Sequence, residues 1–143
     1  VLDLGCGSGI LSIAALVLGA GYAAAVDIDP KAVGVAYENA ELNGVDRSVY
    51  DVCAGDVIGD DTLAAQLGQR RYDLVLANIV ADVIIPLSAR VPRLLAKDGV
   101  FLCSGIIDTR GEEVKAGVLA SGFSLLAEKS LGGWCAFAFC YQG

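Results

Sequence analysis

The sequence predicts one three-layer α/β domain built on a mostly parallel β-sheet. Short apolar runs alternate with helical stretches along its 143 residues, which is typical of a parallel sheet with helices on both faces. The last two apolar runs are separated only by the dipeptide Gly132-Gly133, so these strands are expected to pair antiparallel. Together the two observations predict a mixed sheet with one reversed strand near an edge.

The alternation assigns the strands and helices in order. Strands are predicted over residues 1–4, 22–27, 48–53, 72–77, 100–104, 123–129 and 134–141. Helices are predicted over residues 10–18, 30–42, 60–67 and 112–120, with further helical parts within 82–96. Asp29 and Pro30 supply an N-cap and a first-turn proline for the second helix. Pro86 and Pro92 are expected to kink or split the helical segment 82–96.

The composition argues against several functional classes. A net charge of −7 and a pI near 4.3 disfavour direct nucleic-acid binding, which depends on clustered lysines and arginines. No apolar run reaches the roughly 18 residues that a membrane-spanning helix needs, so no membrane contact is expected. The chain has no histidine, which removes His-based catalytic triads and most zinc sites, and no bound metal is expected.

Cysteine and methionine usage bears on location and completeness. The five cysteines are odd in number and form no CxxC pair, which favours reduced thiols and a cytoplasmic protein. The chain has no methionine and opens inside a predicted strand. We therefore expect residues 1–143 to be one domain of a longer protein whose upstream part is missing.

A glycine-rich turn follows the first strand. Glycine occupies positions 5, 7 and 9, and a hydrophobic helix starts directly afterwards. Glycine adopts positive φ readily and lets a ligand approach the backbone with no Cβ in the way. The following helix points its free N–H groups at the same place. The segment from Gly5 to Gly9 is therefore a candidate site for a small molecule, although such turns also serve as plain connections.

Three further polar residues fall at the carboxyl ends of successive strands, where open α/β sheets bind ligands. Asp27 ends the second strand, about twenty residues after the glycine turn, a position that suits hydrogen bonds to ribose hydroxyls. Asp56 follows the third strand, where a carboxylate can accept from an adenine amino group, and Asn78 follows the fourth. Each also has a plain structural interpretation, as a helix cap, a loop residue or a turn former. Their joint placement is what indicates a site.

The spacing of the turn separates two classes of nucleotide ligand. Dinucleotide-binding folds use GxGxxG, with a pyrophosphate at the helix N-terminus. Here the pattern is DxGxGxG, with Asp3 inside the first strand. A carboxylate beside the turn repels phosphate but suits the ammonium group of an amino acid. A ligand with adenine, ribose and amino-acid parts therefore fits better than one with two phosphates, and S-adenosylmethionine is such a ligand.

The same motifs resemble those of class I methyltransferases, in the strings VLDLGCGSG, AVDIDP, AGD and LANI. Longer strings resemble the PrmA family, whose members methylate ribosomal protein L11; these are GCGSGILSIAALVLGAG, VDIDPKAVGVAYENAELNGV, VLANIVAD, LCSGI and GWCAFAF. The resemblance covers nearly the whole chain. It implies a Rossmann-like class I methyltransferase fold, with a seven-stranded sheet whose sixth and seventh strands form a hairpin.

The resemblance also implies a function and a set of site residues. The implied activity is S-adenosylmethionine-dependent N-methylation of lysine or other amino groups of ribosomal protein L11. The resemblance implies that Gly5, Gly7 and Gly9 hold the methionine part of the cofactor and that Cys6 is also a cofactor-binding residue. It implies that Asp27 binds the ribose, that Ile28 packs on adenine, and that Asn78 lines the place where cofactor and acceptor amine meet. An upstream cofactor-covering segment and an N-terminal domain that recognises the ribosomal protein are implied to lie outside this chain.

Three other functions stay open on the sequence. One is a class I methyltransferase with a different protein or small-molecule acceptor. Another is a module that binds the cofactor without catalysis. A third is an NAD-linked reductase, which the glycine spacing disfavours.

Overall fold

The structure is a computed structural model that describes residues 1–141. Within these residues the chain forms seven strands and five α-helices. The strands are β1 (Leu2–Leu4), β2 (Ala23–Asp27), β3 (Tyr50–Ala54), β4 (Tyr72–Asn78), β5 (Leu95–Ile107), β6 (Phe123–Leu131) and β7 (Trp134–Tyr141). The helices are α1 (Ile10–Val17), α2 (Pro30–Leu42), α3 (Asp61–Gly68), α4 (Ala81–Ser88) and α5 (Gly111–Ala120).

The strands form one sheet in the order β3-β2-β1-β4-β5-β7-β6. All neighbouring pairs from β3 to β5 are parallel, whereas β7 runs antiparallel to both β5 and β6. The strand order reverses direction between β1 and β4, which is the switch point where such sheets leave a crevice at the carboxyl ends of the strands. The predicted fold, a mostly parallel seven-stranded sheet with one reversed strand near an edge, is confirmed.

Helices cover the sheet on both faces. On one face, Leu2 and Leu4 of β1 lie in a core with residues of α4 and α5, such as Ile84 and Val114. On the other, small residues of β2 pack against α1 and α2, where the fully buried Ala36 lets helix and sheet approach closely. Within residues 1–141, no helix is long and apolar enough to cross a membrane.

The two residues predicted to start the second helix, Asp29 and Pro30, lie at the start of α2. The Asp29 carboxylate accepts a hydrogen bond from the N–H of Lys31 at 2.9 Å, and Pro30 is the first helical residue. These two residues fix where the helix starts, directly after the end of β2. The carboxyl end of β2 and its Asp27 are therefore held at the edge of the sheet.

The segment 82–96 is split, as predicted, but the break does not fall at Pro86. Helix α4 runs through Pro86, which lies on an exposed position and removes only one helical hydrogen bond. The chain breaks after Ser88 instead, and Pro92 lies in a short 3₁₀ turn over Val91–Arg93. Strand β5 is also longer than predicted, because its pairing with β7 continues to Ile107.

Candidate functional site

The glycine turn is anchored to the neighbouring strand by its backbone. The N–H groups of Gly5 and Cys6 both donate to the carbonyl of Val26, at 2.8 and 3.0 Å. Gly5, Gly7 and Gly9 have φ values of 75°, 51° and 79°, in the left-handed region that favours glycine. The turn therefore carries the chain from β1 to α1 at the switch point of the sheet, as predicted.

The three glycines are required for different reasons. A Cβ on Gly5 would overlap the side chain of Ile79, and a Cβ on Gly9 would lie 2.7 Å from the Tyr50 hydroxyl. A Cβ on Gly7 would meet nothing within 4 Å. Gly5 and Gly9 thus allow the protein to pack, whereas Gly7 leaves the backbone open towards solvent and any ligand.

Gly9→Ala is expected to lower the free energy of unfolding by about 2 kcal/mol, from the left-handed φ together with the clash. Gly7→Ala carries only the φ penalty and is expected to lower it by about 1 kcal/mol. Urea unfolding of both variants measures the difference. Equal losses would contradict the distinction, because they would show that the packing of Tyr50 against Gly9 contributes nothing.

Asp27 faces the glycine turn. Its Oδ2 accepts a hydrogen bond from the N–H of Gly7 at 2.8 Å, and its Oδ1 accepts one from the N–H of Asp29 at 2.9 Å. Each carboxylate oxygen has a second lone pair, so both can accept a further hydrogen bond. Asp27 therefore holds the turn in place and still presents two acceptor positions at the edge of the sheet.

Asp3 is buried and contacts the backbone of α1. Its residue exposure is 1%. Its Oδ2 accepts from the N–H of Ser12 at 3.1 Å, while its Oδ1 has no hydrogen-bond partner in the described part of the chain. Burial raises the pKa of this carboxyl, and the hydrogen bonds with Ser12 lower it by less. A buried acceptor without a partner suits a positively charged donor that approaches through the turn.

The raised pKa makes Asp3 a source of pH dependence. A folded-state pKa above the unfolded value means that the ionised carboxylate destabilises the fold at neutral pH, and that this penalty disappears as the pH falls below about 4. Relative to wild type, Asp3→Asn is expected to gain stability as the pH rises from about 4 to about 7, because the asparagine side chain carries no charge that burial can penalise. Urea unfolding of both proteins across this range measures it; a constant difference would contradict the prediction.

A crevice of about 370 Å³ opens between the ends of β1, β2, β3 and β4. Of the predicted residues, it is lined by Gly5, Asp27, Ile28 and Asp56, whereas Gly7, Gly9 and Asn78 lie outside its lining. Ile28 is 74% exposed, so its side chain is available to a flat apolar ligand. The crevice therefore combines apolar side chains with two carboxylates, those of Asp27 and Asp56.

Two predicted residues have local structural roles. The Asp56 Oδ1 accepts from the N–H of Ile58 at 2.9 Å, and the Asp56 carbonyl accepts from the N–H of Asp60, so Asp56 shapes the loop before α3. The Cys6 side chain is buried, and burial raises the pKa of its thiol to about 12. Cys6 therefore serves the turn as a small apolar side chain and not as a nucleophile.

Asn78 is the last residue of β4 and is exposed at the same edge. It pairs in register with Ser104 of β5, and the pairing of β5 with β7 then shifts between Cys103 and Ile106. Gly105 lies in this irregularity with a φ of 76°, and a Cβ there would overlap the Asn78 side chain. The irregularity in β5 thus makes room for the Asn78 amide.

Three other depressions are larger than this crevice: one of about 420 Å³ lies between Ser8, α1 and the end of α2, and two, of about 640 and 660 Å³, lie away from this edge. The depression of about 640 Å³ is lined by Tyr22 and Tyr72, next to the amino ends of β2 and β4. The depression of about 660 Å³ lies between α3 and the arginines Arg71, Arg90 and Arg93. Neither of these two contains the carboxyl ends of the central strands, where the glycine turn and Asp27 are found.

The comparison with protein families matches residues 1–141 to the family described as ribosomal protein L11 methyltransferase (PrmA). The chain belongs to this family. A ribosomal protein L11 methyltransferase of Desulforamulus reducens is 41% identical over 143 residues, which cover the whole chain and 44% of that protein. One of Acetivibrio thermocellus is 46% identical over 137 residues, which cover 95% of the chain and 41% of that protein.

Solved structures agree with this assignment to the L11 methyltransferase family. The crystal structure of a ribosomal protein L11 methylase from Lactobacillus delbrueckii subsp. bulgaricus matches with a TM-score of 0.83 and 30% identity. The match covers 99% of this chain and 69% of that one. The chain spans less than half the length of the curated L11 methyltransferases that it matches. The predicted family is confirmed.

Some residues at the site of this L11 methyltransferase family member were not predicted from its sequence. Ile79 and Val80, directly after Asn78, line the crevice together with Val83 of α4. The apolar run after Asn78 in LANIVAD was the available signal, but such a run is equally typical of a buried helix. Gly105 could not be identified, because only the strand pairing shows that it faces Asn78.

Proposed function

We propose that this domain binds S-adenosylmethionine and catalyses methyl transfer to amino groups of ribosomal protein L11. The single observation that carries the proposal is the convergence of the Gly5–Gly9 turn and the Asp27 carboxylate, joined by the hydrogen bond from the N–H of Gly7. Family membership supports the acceptor, since the relatives are named for L11. The ligand is a sulfonium that carries an activated methyl group. When an amine lone pair attacks the methyl carbon opposite the sulfur, the N–C bond forms, the C–S bond breaks and neutral S-adenosylhomocysteine leaves.

The turn and Asp3 fit the amino-acid part of this ligand. Open backbone at Gly7 allows close approach, and the unpartnered Oδ1 of the buried Asp3 provides negative charge for an ammonium group. Gly5, Cys6 and Gly9 complete the turn. Two phosphates would meet the carboxylates of Asp3 and Asp27, which disfavours a dinucleotide.

The crevice fits the nucleoside part. Asp27 offers two free acceptor positions for ribose hydroxyls, and the exposed Ile28 offers an apolar surface for adenine. Asp56 lines the same crevice, and we assign its carboxylate to the adenine amino group. With Gly5 of the turn, these three residues are the predicted residues that line the crevice.

Asn78 is the residue that we assign to the acceptor. A lysine amine has a pKa near 10.4 and must lose its proton before it attacks, and a dry site beside a positive charge lowers that pKa. The side-chain amide of Asn78 can then accept from the neutral amine and orient its lone pair. This role is positional, and positioning is worth up to roughly 7–11 kcal/mol in well-aligned reactions.

A methyl-transfer assay with the full-length protein tests the proposal. Purified L11, other ribosomal proteins and free lysine are each incubated with radiolabelled S-adenosylmethionine, and calorimetry compares that ligand with NAD. We expect label on L11 and no heat with NAD. Label on another acceptor would replace L11 as the substrate, and cofactor binding without any transfer would identify a binding module. We propose that recognition of the ribosomal protein lies mainly in the part of the protein outside these residues.

A further inference from the structure

We propose that Arg110 is a positioning residue for the segment that carries Asn78, a role that rests on the proposed function. Arg110 lies after β5, at the N-terminal boundary of α5. Its Nη1 donates to the Oδ1 of Asp82 in the first turn of α4, at 2.7 Å. The ion pair therefore connects the loops that follow β4 and β5, 28 residues apart.

The guanidinium is held in a fixed orientation by a second carboxylate. Its Nε donates to the Oε2 of Glu113 and its Nη2 donates to the Oε1 of Glu113, both at 2.7 Å. A two-pronged contact of this kind restricts both side chains. Isolated exposed ion pairs contribute little to stability, but networks with this geometry are the exception. The Glu113 carboxylate thus orients Arg110 so that its Nη1 reaches Asp82.

The anchored end of α4 controls the segment at the crevice. Only Ile79, Val80 and Ala81 separate Asn78 from Asp82. Ile79 packs against Gly5 of the turn on one side, and its backbone lies against Gly105 of β5 on the other. A displacement of the start of α4 therefore changes the position of Asn78 relative to the turn. Errors of about 1 Å at a reacting group can slow a reaction about a hundredfold.

A second ion-pair network on α5 provides a matched control. Lys115 lies 2.7 Å from Glu112 and 3.0 Å from Glu128 of β6, with no link to α4. Arg110→Ala and Lys115→Ala each remove one basic residue that bridges a carboxylate of α5 and a carboxylate of another element. Only Arg110→Ala removes the ion pair that holds the segment after β4.

Steady-state kinetics of the full-length protein with L11 tests the role. We expect Arg110→Ala and Asp82→Asn each to lower kcat about tenfold while the Kd of S-adenosylmethionine stays within about twofold. The double variant should lose no more than either single one, because both break the same contact. Lys115→Ala should keep wild-type kcat. A kcat for Arg110→Ala equal to that of Lys115→Ala, or losses that multiply in the double variant, would overturn the inference.

Amide hydrogen exchange makes the result independent of activity. The amides of residues 79–84 should exchange faster in Arg110→Ala than in wild type. In Lys115→Ala their exchange rates should equal those of wild type. If the wild-type protein transfers no methyl group, the proposed function fails, and the catalytic role of Arg110 fails with it. If the wild type is active but neither kcat nor exchange of this segment responds to Arg110→Ala, the inference alone is overturned.

Discussion

Replacing Asp27 with alanine is expected to weaken S-adenosylmethionine binding about a hundredfold in the full-length protein. The carboxylate has one free lone pair on each oxygen, and hydrogen bonds to a charged acceptor contribute about 1.5–3 kcal/mol each. Two such bonds to ribose hydroxyls amount to at least 3 kcal/mol, and 1.4 kcal/mol corresponds to a factor of ten in affinity. The variant also leaves the N–H of Gly7 without its acceptor, which loosens the turn.

The adjacent carboxylate supplies the control. Asp29→Ala removes the side chain that caps α2 but keeps the backbone N–H that donates to Asp27. It should lower the free energy of unfolding by about 1 kcal/mol and change cofactor affinity little. Calorimetry on both variants, with thermal unfolding alongside, separates binding from stability.

A cofactor analogue identifies which part of the ligand Asp27 contacts. For an analogue of S-adenosylhomocysteine without ribose hydroxyls, Asp27→Ala should cost much less affinity than it does for S-adenosylmethionine, because the ribose bonds are absent from both complexes and only the loosened turn remains. If Asp27→Ala binds S-adenosylmethionine as tightly as Asp29→Ala does, Asp27 does not hold the ribose, and the proposed orientation of the ligand in the crevice is wrong.

The part of the site that could be predicted from the sequence is the part that follows from a local sequence pattern together with the geometry of a parallel sheet. A glycine turn after β1 and an acidic residue at the end of β2 must lie together, because parallel neighbours end at the same edge of a sheet. The contact between Asp27 and the N–H of Gly7 follows from that geometry, and the two residues are 20 positions apart. The cap at Asp29 depends only on adjacent residues, and the helix boundary was correct.

The features that sequence did not predict depend on contacts between distant segments. Strand β5 extends to Ile107 because β7 pairs with it there, and local hydrophobicity carries no signal for such a partner. The burial of Asp3 depends on how α1 packs over β1, so the pattern predicted a carboxylate near the turn but not its contact with Ser12. The pair between Arg110 and Asp82 likewise exists only once α4 and α5 are side by side.

Replacing Asn78 with alanine is expected to lower kcat for methyl transfer to L11 about a hundredfold, with little change in the Kd of S-adenosylmethionine. Asn78 lies outside the lining of the crevice, so its loss leaves the nucleoside contacts of Asp27 and Ile28 in place. What is lost is an oriented acceptor for the attacking amine, and orientation of reacting groups accounts for effects of this size. Rapid-quench turnover and calorimetry on the same preparation measure the two quantities.

A change that does not touch Asn78 itself gives an independent test of its position. Gly105→Ala places a Cβ where the Asn78 side chain lies, so it should displace the amide and lower kcat as well, at an added stability cost of about 1–2 kcal/mol from the left-handed φ. Ser104→Ala removes a polar group from the residue paired with Asn78 and adds no clash, so it should retain turnover. An active Asn78→Ala would show that the backbone of the segment, and not this side chain, orients the amine. A loss of cofactor affinity in parallel with kcat would instead assign Asn78 to cofactor binding.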